Sequence, residues 1–75
     1  MSGASTRLGD FLRDTGRSQT TFAKELGVSR AMVSFYLGEA RRPSLRVAAQ
    51  IESLTSGWSR GPIRAVEWVN QKESR

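Results

Sequence analysis

The chain contains no cysteine and no histidine. Disulfide staples are therefore excluded, and so are the zinc sites that stabilise many small domains. Neither a cofactor nor a metal is expected. No apolar run approaches the length of a membrane span. Residues Met1 to Thr6 are small and polar and lack the apolar centre of a signal peptide. No membrane association is expected, and the expected compartment is the cytoplasm. No segment alternates apolar and polar residues for long enough to argue a strand, and internal repeats and low-complexity tracts are absent. Catalysis has little to work with. There is no phosphate-cradling glycine loop, and no nucleophile–base pair can be assembled. Asp10 and Asp14, four residues apart, read as exposed helix charges, so an enzyme is not expected. A chain of 75 residues must then build a single domain from packed apolar side chains alone.

Acidic residues are also scarce. Against 7 Asp and Glu stand 12 Lys and Arg, for a formal charge of +5. Ten of the 12 are arginine, which suits bidentate recognition of phosphate and guanine better than lysine does. Between Arg17 and Arg46 lie six basic residues and only two acids, Glu25 and Glu39. Most of the excess charge thus sits in the middle of the chain, and the expected partner is a polyanion.

The apolar residues that are present follow helical spacing. Leu8, Phe11, Leu12 and Thr15 mark a first helix stopped by Gly16. Ser18 can cap a second helix with Phe22, Ala23 and Leu26 on one face, ended by Gly27. Ser29 can cap a third with Val33, Tyr36 and Leu37 inward, ended by Gly38. A basic loop, Glu39 to Pro43, follows. Ser44 caps a fourth helix carrying Val47, Ala48, Ile51 and Leu54, closed near Gly57. Gly61-Pro62 opens a fifth helix reaching about Asn70, because proline fits a first helical turn. The predicted fold class is all-α, with about five short helices. Residues 1–6 and 71–75 are expected to be flexible tails, 7–57 the main domain, and 58–70 a C-terminal helix that completes the core or forms a partner surface.

Residues Gln19 to Gly38 read QTTFAKELGVSRAMVSFYLG. Each unusual position has a physical reason. Ala23 is small where two helices cross, and Gly27 suits a left-handed turn. Val28 and Val33 fill the space between the helices, and Ser29 caps the third. With Val33, Tyr36 and Leu37 turned inward, Ala31, Ser34 and Phe35 fall on the opposite side with Arg30 on the flank. That face is small, aromatic and cationic. It suits the major groove of DNA, which admits a helix and offers guanine acceptors and thymine methyls.

The segment resembles the helix-turn-helix of the lambda repressor/Cro superfamily, whose pattern runs Gln, Ala, Leu-Gly-Val-Ser, Val-Ser and an aromatic. Gly38…Arg42-Pro43-Ser44-Leu45 resembles that family's loop into its fourth helix. The likeness covers roughly Leu8 to Leu54. It implies a lambda-repressor-like bundle in a small Cro-like phage or prophage regulator. By the same resemblance Arg30 is expected to contact a base, against a solvated or phosphate-touching role, and Gln19 to contact a phosphate, against a plain helix-forming role. Phe35 is expected to touch a thymine methyl or sugar, or else to be half-buried against the second helix or the loop. Ala31 and Ser34 permit close approach to bases. Ser29, Arg17, Lys24, Arg41, Arg42 and Arg46 are the expected phosphate contacts. Trp58 is expected over the end of the fourth helix.

The expected function is sequence-specific binding of double-stranded DNA by a small transcriptional repressor. One such motif offers few side chains to base edges, and related regulators dimerise on two half-sites. The expected partners are therefore an inverted-repeat operator and a second copy, joined through Trp58, Val66, Trp68 and Val69; the other reading is that these four and Ile63 all finish a monomer's core. The alternative function is an antitoxin-like module that binds a toxin and also controls its own operon.

Overall fold

The computed structural model describes residues 3–69. They form five helices: α1 (Gly3–Thr15), α2 (Gln19–Leu26), α3 (Arg30–Leu37), α4 (Leu45–Leu54) and α5 (Ala65–Val69). No strand occurs among the described residues, and the architecture is the all-α bundle expected. α1 packs on α3 and α5, α2 on α3 and α4, and α4 on α5. The core runs through all of them: Leu8, Phe11, Phe22, Val33, Tyr36, Ile51, Ile63 and Trp68 are buried. Phe11 meets Phe22 and Trp58 edge-on, and Tyr36 meets Trp68 in the same way. Such aromatic pairs add to plain burial.

Three helices begin where serine can accept an otherwise unpaired backbone N–H. Ser18, Ser29 and Ser44 accept from Thr21, Met32 and Val47 at 3.0, 3.2 and 3.2 Å. α1 stops as expected. Gly16 is left-handed at φ 69°, and the Arg17 N–H donates back to the Leu12 carbonyl at 3.0 Å.

Several expectations are corrected. Residues 3–6 are not a tail: they are the first turn of α1, with Ala4 and Ser5 buried. The Ser5 hydroxyl donates to the Tyr36 carbonyl at 2.7 Å, tying that turn to the end of α3. The expected C-terminal tail, 71–75, lies outside the described residues. α3 does end at Leu37 with Gly38 as its cap, as expected, and the left-handed φ of 63° falls on Glu39. α4 ends at Leu54 rather than near Gly57. The buried Thr55 hydroxyl donates to the Ile51 carbonyl and accepts from the Ile63 N–H, both at 2.8 Å. This side chain satisfies backbone groups at both ends of the connection.

α5 starts at Ala65, not at Pro62. Carboxylates cap it: Glu67 accepts from the Arg64 N–H at 2.9 Å and Glu52 from the Ala65 N–H at 3.1 Å. Trp58 follows the end of α4, its N–H donating to the Thr55 carbonyl at 3.0 Å, and its ring packs on α1, edge-on to Phe11 at 5.4 Å, with its Nε1 donating to Asp14 at 3.2 Å. Trp58 and Trp68 are thus core residues of the single chain, at 9% and 1% exposure, and not the dimer surface expected of them. Two large rings are what so short a chain needs to close a core without staples. Val66 is 50% exposed, and the side chain of Val69 lies outside those described.

Candidate nucleic-acid interface

α2, a turn at 27–29 and α3 form one unit. Phe22, Ala23, Leu26, Val33 and Tyr36 bury its inner side, with Val28 packed against them at the turn. Gly27 takes φ 76° and ψ 29°, and its N–H reaches the Ala23 carbonyl. A Cβ built there would meet nothing within 4 Å. The left-handed backbone, and not crowding, is what calls for glycine in this turn.

The inner stripe of α3 turns the other residues outward. Arg30, Ala31, Ser34 and Phe35 are all exposed, as expected. Phe35 is a large apolar side chain at 38% exposure. Its cover is Arg41, whose guanidinium carbon stands 5.2 Å from the ring centroid. The loop is bound back to the helix there: the N–H groups of Ala40 and Arg41 donate to the Phe35 carbonyl at 2.9 and 3.4 Å. Burial raises the pKa of the Tyr36 hydroxyl above its ordinary value, and the nearby Arg41 charge opposes that shift.

The remaining cations fall into two groups. Arg7 pairs with Glu67 at 2.8 Å, Arg17 with Glu25 at 3.0 Å, and Arg60 with Asp10 at 3.2 Å and Asp14 at 3.8 Å. Arg13 also pairs with Asp10. The guanidinium carbons of Arg7 and Arg60 lie over the Trp58 ring, 5.6 and 5.1 Å from its centroid. By contrast Lys24, Arg30, Arg41, Arg42 and Arg46 are exposed and make no ion pair among the described residues; outside that stretch only Arg64 shares this state. The paired arginines are thus Arg7 and Arg13 on α1, Arg17 beside α2, and Arg60, and the cations without an ion pair are the five from Lys24 to Arg46 together with Arg64.

Not every expected contact residue joins this group. Lys24 and Arg46 come together across a groove of about 430 Å³ where the end of α2, Gly27, Val28 and the start of α4 meet. Arg41 and Arg42 border a second depression with Pro43 and Trp68. Ser29 is exposed and its hydroxyl caps α3, while Gln19 is half-buried at the start of α2. Arg17 stands apart: besides Glu25 it covers the Phe11 ring at 5.0 Å, so its charge is already engaged inside the fold.

Two positions that the sequence left silent matter to this arrangement. Arg7 donates to the carbonyls of Arg60, Gly61 and Pro62 at 2.8, 3.1 and 3.3 Å in addition to Glu67. It clamps the connection before α5. Leu45, the first residue of α4, is a large apolar side chain at 74% exposure. No local sequence signal marks the Arg7 clamp, because its partners lie more than fifty residues away. The exposure of Leu45 does follow from helical phase: at about 100° per residue it stands opposite Val47 and Leu54, which pack against the core.

Among the described residues no group of carboxylates could hold a metal ion, and no helix is long and apolar enough to cross a membrane. No known protein family, curated protein or solved structure matches the chain.

Proposed function

We propose that the chain is a sequence-specific double-stranded DNA-binding protein of the lambda repressor/Cro type, acting as a small transcriptional repressor with α3 in the major groove. The observation that carries this reading is the sorting of charge. Every described residue from Lys24 to Arg46 that bears a positive charge is exposed and lacks an ion pair, and the same stretch carries α3, whose outer face is small and aromatic. An ordinary solvent face would intersperse both signs, as the α1 side does. Un-neutralised cations beside a helix with a small, exposed outer face match a polyanion with a groove.

In this reading Arg30 reads a guanine edge, while Ala31 and Ser34 let the backbone approach the bases. Gln19, Ser29, Lys24, Arg42 and Arg46 face the sugar–phosphate backbone, and Arg17 is a lesser contact because Glu25 already holds it. A second copy binds the other half of an inverted repeat. With both tryptophans buried, its contact falls to the exposed apolar side chains Val66 and Leu45.

Selection from a randomised duplex library tests the reading. The expected product is an inverted repeat with half-sites about 34 Å apart, binding two copies of the chain in sedimentation. No enrichment over the starting library would overturn it. A stoichiometric protein partner recovered from the native host in place of DNA would favour the antitoxin reading.

A further inference from the structure

We infer that Phe35 and Arg41 form a single stacked reading unit for two adjacent base pairs, a pyrimidine carrying a C5 methyl beside a guanine; this rests on the DNA-binding reading above. Arg41 differs from its neighbour Arg42. Glu39 reverses the chain at φ 63°, and two loop N–H groups anchor on the Phe35 carbonyl. Those constraints lay the Arg41 guanidinium over the ring that α3 itself presents, 5.2 Å from its centroid. Arg42 has neither a ring beneath it nor an ion pair among the described residues, and is a loose surface cation.

Stacking leaves the guanidinium's in-plane N–H fork unused, since no described carboxylate pairs with it. A planar fork held on a ring is pre-organised, so less side-chain freedom is lost when it binds. Its matching acceptors in the major groove are guanine O6 and N7. The exposed part of the Phe35 ring is apolar and lies at the same end of α3. Its matching group is the methyl at C5 of thymine or of 5-methylcytosine. One side chain fixes the other, so the two preferences are coupled and fall on neighbouring base pairs. A loop arginine seeking phosphate would need no ring.

The test uses the intact chain and the duplex it selects. Each thymine is replaced in turn by deoxyuridine, which removes only the methyl, and each guanine by 7-deazaguanine, which removes only N7. In each half-site, apart from the guanine assigned to Arg30, we expect one uracil position and one adjacent deazaguanine position to weaken binding several-fold to about tenfold. A 5-methylcytosine–guanine pair at the sensitive thymine should bind better than the unmethylated pair. Arg41→Ala should abolish the deazaguanine penalty and diminish the uracil penalty, and Phe35→Ala should do the reverse. Arg41→Lys keeps the charge but not the fork, and should behave like Arg41→Ala. Circular dichroism checks that each variant remains helical. Wild-type binding that is indifferent to uracil at every thymine, or an Arg41→Lys variant that keeps the deazaguanine penalty, would overturn the stacked unit while leaving DNA binding intact. Failure to select any duplex would overturn the DNA-binding reading, and the unit with it.

Discussion

The two sides of this bundle use the same residue type for opposite ends. On the α1–α5 side, Arg7, Arg13, Arg17 and Arg60 are neutralised by Asp10, Asp14, Glu25 and Glu67. Several also lie against aromatic rings or donate to backbone carbonyls. On the α2–α4 side, five cations project without a carboxylate partner. In a chain without cysteine, arginine does part of the stapling: its long apolar stem packs while its fork satisfies several acceptors. The paired arginines therefore hold the fold, and in the proposed function the unpaired ones of the α2–α4 side are those that meet DNA. Net charge alone cannot distinguish the two uses, because both count equally toward it.

The largest expected effect lies on the stapled side. Trp68→Glu places a charge where Tyr36 and the α1–α4 core meet, and should cost at least about 4 kcal/mol. That is comparable with the whole stability of a chain this short, so the helical signal should be lost in circular dichroism at 25 °C. Val66→Glu, two residues away and half-exposed, should stay folded and weaken pairing of two copies on DNA. A folded Trp68→Glu would show that α5 is dispensable to the core.

Next in size is Arg30→Ala. It should lower affinity for the preferred duplex by about 1–3 kcal/mol and relax preference at one guanine. Its melting temperature should barely move, since nothing in the fold leans on this side chain. Equal losses on all sequences would make Arg30 a phosphate contact instead.

Arg7→Ala should show the mirror pattern. Losing a half-exposed ion pair and the clamp on three carbonyls should destabilise by about 1–2 kcal/mol, after allowance for solvent screening. The melting temperature should fall by about 5–10 °C, with DNA affinity unchanged where both proteins are folded. If affinity falls and stability does not, the division between the two sides is wrong.

The smallest effect is on salt dependence. Arg42→Ala with Arg46→Ala should reduce the slope of log affinity against log salt by up to about 0.9 per lost contact. Arg13→Ala with Arg60→Ala should leave the slope alone. Equal changes from the two double variants, measured by fluorescence anisotropy from low to moderate salt, would erase the comparison.

Much of the fold was legible along the chain because its signals are local. A serine cap acts on an N–H three residues on, and a left-handed glycine acts on its own turn. The caps at Ser18, Ser29 and Ser44 and the stops at Gly16 and Gly27 therefore needed no knowledge of tertiary structure. The outward face of α3 followed from the phase of Val33 and Tyr36 alone. Where local rules compete with distant partners they failed: Pro62 reads as a helix start, yet Glu52 and Glu67 place that start at Ala65.

By itself the sequence determined the all-α class, the α2–turn–α3 unit, its exposed Arg30, Ala31, Ser34 and Phe35, and the basic excess of the middle of the chain. Only the tertiary structure decided which arginines are neutralised, that Ala4 and Ser5 are interior, and that Trp58 and Trp68 close a monomer's core. The reason is range. Helix phase and capping are set by residues within a turn of one another, whereas Arg7 meets Glu67 across sixty residues and Ser5 meets Tyr36 across thirty-one. Which charge finds a partner, and which apolar face is covered, depends on how the helices stack, and no spacing along the chain encodes that directly.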